Sequence, residues 1–357
     1  MSSAAHPLSG LGWTAERAVE FAPLAEAGLL PGRISRVDRG RCEVLLADPD
    51  TGGLRTVRAE SPPVGAADRT DGPCTGDWVA VDPSAQPVPA ISAVLPRTTA
   101  VVRKGANKRS EGQVLAANVD TVLIAVSLAA EPDLGRVERF LALAWESGAE
   151  PLIVLTKADL VNDAEFVRAD VEAVAPGVTV LVVSAEAGQG VDELRACATG
   201  TCALIGQSGA GKSTLTNALA GAEVMTVQQT RAVDEKGRHT TTTRELIPLP
   251  DGGVVIDTPG LRGVGLFGGE GINQAFAEID ALAEQCRFDD CGHRTEPGCA
   301  VRAALEDGEL PERRWESYLK LQRENDWIAS RTDARLRAER ARHWKIVTKS
   351  ARTLTRP

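Results

Sequence analysis

The sequence predicts an α/β chain in three parts: a parallel sheet covered on both faces, a small all-β module before it, and a mostly helical segment after it. Three observations carry this. From Val119 to about Asp257, continuous apolar runs of strand length alternate with runs of helix length, the pattern of strands buried on both faces. Within them CALIGQSGAGKSTLTNAL, residues 202–219, breaks an apolar run at Gly206 and resumes it after Lys212 at helical spacing, which reads as strand, phosphate-binding loop and helix. Upstream, between Gly32 and about Leu95, short alternating runs are separated by Gly, Pro and Asp clusters, the text of a small barrel.

In chain order, residues 1–30 hold few turn signals and a modest apolar pattern (Trp13, Val19, Phe21, Leu24), enough for a short helix. GRISRV, CEVLLA, LRTVRAE, DWVAV and ISAVL then give five strands of a barrel of the oligonucleotide-binding (OB) size, a pattern that fits any small all-β module equally well. Arg97, Arg103, Lys104, Lys108 and Arg109 crowd the connector that follows, either to neutralise RNA phosphates or as a solvated linker. Next come the strand VDTVLIAVS, a helix over 135–147, the strand PLIVLT, a helix over 164–174 and the strand VTVLVVS. The phosphate-loop strand joins that sheet. A long polar segment, 223–244, leads to the hairpin ELIPLPDGGVVI, and from Pro311 a charged helical pattern (Trp315, Leu319, Trp327) runs to the end.

Bulk properties narrow the class. At 357 residues and 43% hydrophobic content the chain supports two or three domains with their own cores. The start lacks a basic stretch followed by an apolar one, and no run reaches the roughly 18 apolar residues that span a bilayer. A cytoplasmic protein with no membrane partner is expected. Seven cysteines without a leader favour metal or buried thiols over disulfides, and Cys42, Cys74, Cys197 and Cys202 read as buried small residues. The net charge of −9 argues against indiscriminate coating of nucleic acid. It is unevenly placed: Arg331 to Pro357 carries nine Lys or Arg against Asp333 and Glu339, a net +7 that leaves −16 for the first 330 residues.

Four motifs carry chemistry. In the loop Gly206, Gln207, Ser208, Gly209, Ala210, Gly211, Lys212, Ser213 and Thr214, the glycines let backbone N–H groups turn toward an anion and the helix adds its positive end. Lys212 reaches β and γ phosphates, and the Ser213 hydroxyl suits Mg²⁺. Thr156, Lys157, Ala158 and Asp159 follow the strand PLIVLT. There Lys157 can lie along a base plane, while the Asp159 carboxylate accepts two hydrogen bonds from a guanine edge, which adenine lacks. SAEAGQG begins with Ser184 and Ala185, placed to meet the same base. DTPG, 257–260, gives Asp257 to hold Mg²⁺ through water and the Gly260 N–H to meet the γ phosphate. In GRHTTTT, 237–243, a threonine hydroxyl can complete the Mg²⁺ shell. Leu261 stands where many such enzymes place a water-orienting glutamine, leaving His239 as the nearest catalytic substitute.

Here base recognition precedes the phosphate loop, the reverse of the usual order, as circular permutation of the same sheet allows. After it, CRFDDCGHRTEPGC gives Cys286, Cys291, His293 and Cys299 as C-x(4)-C-x-H-x(5)-C, a closed set suited to one structural Zn²⁺.

The permuted order TKAD, SAEAGQG, GQSGAGKST, GRHTTTT, DTPG, with this cluster and the small barrel, closely resembles the small ribosomal subunit biogenesis GTPase RsgA (YjeQ) family over about residues 30–330. The resemblance implies a circularly permuted P-loop GTPase domain, an N-terminal OB-like β-barrel and a C-terminal zinc-binding, mostly helical domain. Their expected extents are 31–98 for the barrel, 99–118 for a basic linker, 119–268 for the GTPase domain and 269–357 for the zinc domain and tail, after an extension over 1–30. It further implies GTP hydrolysis to GDP in late maturation of the small ribosomal subunit, stimulated by the subunit, with the subunit and its rRNA as partners. A monomer is expected. Thr156 departs from the family's usual asparagine; its hydroxyl can still brace the phosphate loop, with weaker support. Two alternatives stay open: an RNA-binding adaptor with a degenerate nucleotide site, and a P-loop ATPase, against which stands the lack of an LSGGQ-like signature.

Overall fold

A computed structural model of the chain describes residues 6–61, 72–104, 112–226, 244–261, 265 and 269–332, by backbone alone at 104 and 329–332. A 3-10 turn, Pro7–Leu11, precedes α1 (Ala15–Glu26), whose first turn is capped by the Thr14 hydroxyl accepting from the Arg17 N–H at 3.3 Å. Trp13 and Phe21 are buried as their spacing predicts, whereas Val19 is 76% exposed. The segment turns its aromatic side toward the barrel, with Trp13 edge-on to Trp78 at 4.9 Å.

Five strands follow: β1 (Leu30–Asp38), β2 (Arg41–Ala47), β3 (Leu54–Glu60), β4 (Trp78–Asp82) and β5 (Ala90–Val94). They pair in the order β1-β2-β3-β5-β4 and close through β4 back to β1, around a core of Ile34, Val44, Leu46, Val79, Val81 and Ile91. Closure is what the five alternating runs predict, since it removes both sheet edges.

The stretch read as a basic linker holds regular structure at both its ends. Strands β6 (Ala100–Lys104) and β7 (Gly112–Ala117) pair antiparallel, and Val101 and Leu115 enter the main core. Arg97 also departs from its reading as a phosphate-neutralising residue. Its guanidinium clasps the buried Asp77 carboxylate with two bonds of 2.7 Å and donates to the Gly72 carbonyl at 2.7 Å.

The central sheet is built from β8 (Thr121–Ser127), β9 (Glu150–Thr156), β10 (Val180–Val183), β11 (Thr201–Gly206), β12 (Glu245–Pro248) and β13 (Val254–Asp257). Their order is β10-β9-β8-β11-β13-β12, parallel except for β12, which runs antiparallel to β13. Helices α2 (Leu134–Glu146), α3 (Ala164–Ala173), α4 (Val191–Cys197) and α5 (Lys212–Ala220) cover its faces, within two residues of the predicted ranges where those were given. The chain moves outward from β8 to β10 and then returns to lay β11 beside β8. That reversal opens a crevice at the carboxyl ends of the strands, where ligands of such sheets bind. One strand pair, Arg36 with Glu245, joins barrel and sheet. Cys42, Cys74 and Cys202 are buried as expected, but Cys197, at the end of α4, is exposed.

Beyond β13 come α6 (Glu270–Ala275), α7 (Ala277–Ala283), α8 (Ala300–Glu306) and α9 (Glu312–Thr332). They dock on α2 through charge as well as apolar packing. Glu138, fully buried on α2, accepts from Arg313 and Arg314 at 2.8 Å each, and Gly271 packs so closely that a Cβ there would stand 2.1 Å from the Ala142 carbonyl oxygen. No helix among the described residues is long and apolar enough to cross a membrane.

Candidate functional site

Buried along its whole length, β11 delivers Gly206 to the crevice with φ +149°, where a Cβ would lie 2.5 Å from the Ala125 carbonyl oxygen. Gly209 and Gly211 follow with φ +79° and +83°, so the loop takes turns that only glycine adopts without strain and then opens α5 at Lys212. Lys212 is itself buried. Its ammonium donates to the carbonyls of Gln207 at 2.8 Å and Gly206 at 3.2 Å, and burial lowers its pKa against the pull of Asp257.

DTPG folds back on this loop. A Cβ on Gly260 would stand 2.7 Å from both N and Cα of Ser208, and the Leu261 N–H donates to the Gly206 carbonyl at 3.0 Å, so glycine at 260 is a requirement of close approach. The Thr258 hydroxyl, which sequence reasoning did not single out, donates to the Leu204 carbonyl and ties the segment to β11. Asp257, 1% exposed, accepts from the Ser213 hydroxyl at 3.4 Å through Oδ2, while Oδ1 is buried with no partner. An orphaned carboxylate oxygen beside a serine hydroxyl is the hard-oxygen set that Mg²⁺ takes.

Burial pushes the Asp257 carboxyl up to about 6, against Lys212. Its folded pKa therefore lies above the unfolded value, so burial penalises the ion above pH 6 and protonation relieves that penalty as pH falls toward 4. Cation binding carries the opposite sign because it needs the carboxylate. Mg²⁺ affinity of the nucleotide complex should fall as pH drops from 7 to 5, by up to about tenfold per pH unit below the pKa. A Mg²⁺ titration giving one affinity throughout that range would remove Asp257 from the metal site.

The second and third loops meet at the next two strand ends. Strands β9 and β10 pair Thr156 with Val183, which sets Asp159 and Ser184 side by side. Lys157 turns the chain at φ +61° into a single 3-10 turn, Ala158–Leu160, leaving Asp159 exposed at the crevice. The Ser184 hydroxyl is fully buried. It donates to Asp159 Oδ1 at 2.5 Å and accepts from the Ala187 N–H at 3.1 Å, so this hydroxyl fixes the direction of the carboxylate. Ala185 lies alongside, half-buried. The Thr156 hydroxyl donates to the Ala210 carbonyl at 2.8 Å, across 54 residues, and so braces the Gly206–Lys212 loop from the end of β9.

The Cys/His cluster lies between α7 and α8, and the ligand atoms of Cys286, Cys291, His293 and Cys299 fall within 4.8 Å of one another. Cys286 Sγ is 3.6 Å from His293 Nδ1 and 3.9 Å from Cys299 Sγ, and His293 Nδ1 is 3.4 Å from Cys299 Sγ. A tetrahedral zinc with bonds of about 2.3 Å to sulfur and about 2.0 Å to nitrogen spaces its ligands roughly 3.5–3.8 Å apart, and these three distances fall in that range or within about 0.1 Å of it. The loop is held by its own backbone: His293 has φ +54°, and the Glu296 carboxylate accepts from the N–H groups of Arg294, Thr295 and Gly292, which help hold its pKa down at about 2. His239, the threonines of GRHTTTT and the basic tail beyond Thr332 lie outside the described residues.

Residues 94–267 match the RsgA GTPase family model. The chain is 60% identical over 349 residues to the small ribosomal subunit biogenesis GTPase RsgA of Streptomyces avermitilis, covering 96% of this chain and 92% of that one. It is 42% identical to the protein of that name from Opitutus terrae, over 98% of both chains. Among solved structures it is similar to YjeQ from Thermotoga maritima, with a TM-score of 0.59 and 27% identity over 83% of this chain and 98% of that one. The fold is also that of YloQ, described as a circularly permuted GTPase, at a TM-score of 0.57 and 24% identity over 83% and 95% of the two chains.

Proposed function

The chain belongs to the RsgA family of small ribosomal subunit biogenesis GTPases, and from that premise we propose how its own residues perform the work. It is a GTP hydrolase of small-subunit maturation. Asp159, held by Ser184, reads guanine; residues 206–214 cradle the phosphates; Ser213 and Asp257 hold Mg²⁺, which neutralises charge on the β and γ phosphates when bound. The observation that carries this reading is Thr156, whose hydroxyl joins the base-recognition strand to the phosphate loop and so makes one site of two distant motifs. A P-loop ATPase has no use for the Asp159–Ser184 arrangement, and a degenerate adaptor has none for the orphaned Asp257 oxygen.

The partners in this reading are the small subunit and its rRNA, met by the barrel and the C-terminal domain in the cytoplasm by a monomer. Measured GTP turnover with and without purified small subunits tests it. Stimulation by the subunit and no turnover of ATP are expected; no GTP turnover in either condition would return the adaptor reading.

The cluster of Cys286, Cys291, His293 and Cys299 holds one structural Zn²⁺ in this reading, and the spacing of its ligand atoms supports that ion. Three thiolates and an imidazole leave no open position, so the metal supplies folding energy to its own loop. Cys291→Ala should lose the zinc and loosen helices α7 and α8 while GTP affinity stays within about twofold, because the nucleotide loops belong to another core. Elemental analysis finding no zinc in the purified protein, or loss of GTP binding in this variant, would refute the assignment.

A further inference from the structure

The N-terminal segment, residues 6–26, supplies nothing to the nucleotide site, yet its contacts converge on the strand that carries Asp257. Each anchor reaches a different part of the molecule. Trp13 stands edge-on to Phe21 at 5.7 Å and to Trp78 of β4 at 4.9 Å, which fastens α1 to the barrel. Arg17, buried, donates to the Pro96 carbonyl at 2.9 Å and to Asn118 Oδ1 at 2.7 Å, on either side of the β6–β7 hairpin. The Gly10 carbonyl accepts from the Gly253 N–H at 3.0 Å, in the turn between β12 and β13. Leu8 and Leu11 are buried in the same core as Val254 and Ile256 of β13.

Behind these anchors lies one fully buried guanidinium. Arg33 of β1 donates to the carbonyls of Gly76 at 3.2 Å, Asn118 at 3.1 Å and Leu11, so a turn of the barrel, the entry to the central sheet and the N-terminal segment share one side chain. The same turn presses on β13: a Cβ on Gly76 would stand 2.3 Å from the Ala117 carbonyl oxygen and 2.9 Å from Cδ1 of Ile256, the residue before Asp257. Strand β13 is therefore held at its start by Gly10 and abutted near its end by Gly76. Packed interiors and hydrogen-bond networks of this kind pass a displacement on rather than absorb it. We propose that residues 6–26 form a strap that locks the barrel to β13, so that a partner bound to the barrel acts on the strand presenting Asp257. That partner is the small subunit of the proposed function, and the inference rests on that reading.

The test compares Arg17→Met and Trp13→Leu with the wild-type chain. In the first, Asn118 Oδ1 keeps the Thr98 N–H as a donor at 3.1 Å, and in the second an apolar side chain stays against Trp78, so both should fold. Basal GTP turnover, GTP affinity and small-subunit affinity should each stay within about twofold, because the substitutions touch none of those sites. Subunit-stimulated turnover should fall by about fivefold or more. Hydrogen exchange at the Gly253 amide, read by mass spectrometry, should quicken as its bond to Gly10 loosens. A wild-type stimulated rate despite faster exchange would overturn the coupling, and unchanged exchange at Gly253 in both variants would overturn the strap. Subunit affinity falling in step with the rate would overturn it in favour of direct contact between residues 6–26 and the subunit. Failure of the subunit to stimulate the wild-type chain would instead overturn the proposed function.

Discussion

Asp159→Asn should cost GTP about 3 kcal/mol of binding, a factor of roughly a hundred, and should raise affinity for xanthosine triphosphate. The carboxylate is acceptor-only and is presented at the crevice with one oxygen fixed by Ser184, so its direction is set before any base arrives. Guanine offers it two donors, the ring N1–H and the 2-amino group. An amide keeps one acceptor and adds a donor, which leaves the 2-amino group facing an N–H but suits the 2-oxo group of xanthine. Ser184→Ala should shift GTP affinity in the same direction and less far, because the carboxylate survives and loses only its support. Competition titrations with the two nucleotides read both variants. An Asp159→Asn protein with wild-type GTP affinity would remove TKAD from the site.

How far the sequence revealed this arrangement depended on the distance over which each signal acts. Strands such as VDTVLIAVS and PLIVLT lie between two covered faces, so their burial shows as an unbroken apolar run, and β8 and β9 follow within two residues. The phosphate loop was legible because backbone geometry admits only glycine at Gly206, Gly209 and Gly211. Side-chain direction was less accessible. Ser184 reads from sequence as a base contact, and only the pairing of β9 with β10 shows its hydroxyl committed to Asp159. Arg97 reads as part of a basic patch because its partner Asp77 lies 20 residues upstream, on a turn whose place is set by barrel closure. Val101 and Leu115 sit in a stretch dominated by basic residues, and composition hid the β6–β7 hairpin that buries them. Close approaches such as Gly260 on Ser208 leave no periodic trace at all.

The site as built makes a specific demand on hydrolysis. Leu261 occupies the position after DTPG, and its side chain, 2% exposed, forms part of the wall of a cleft of about 340 Å³ between α2 and α9, with Phe140 and Leu321. A residue so committed cannot present a polar group to water at the γ phosphate. Of the four histidines, His293 belongs to the Cys/His cluster, His6 accepts from the Leu8 N–H before α1, and His343 lies in the basic tail, which leaves His239, next in sequence to the threonines of GRHTTTT. Phosphoryl transfer asks for orientation of the attacking water more than for a strong base, so an imidazole suffices once it is held in place. We hypothesise that the small subunit does the holding, which makes the free protein slow. His239→Ala should then keep GTP affinity and lose about ten- to a hundredfold of the subunit-stimulated rate, while His239→Gln, which can still orient water, should retain more of it. Single-turnover hydrolysis with saturating small subunits decides the matter: a wild-type rate from His239→Ala would leave the histidine with no part in the reaction.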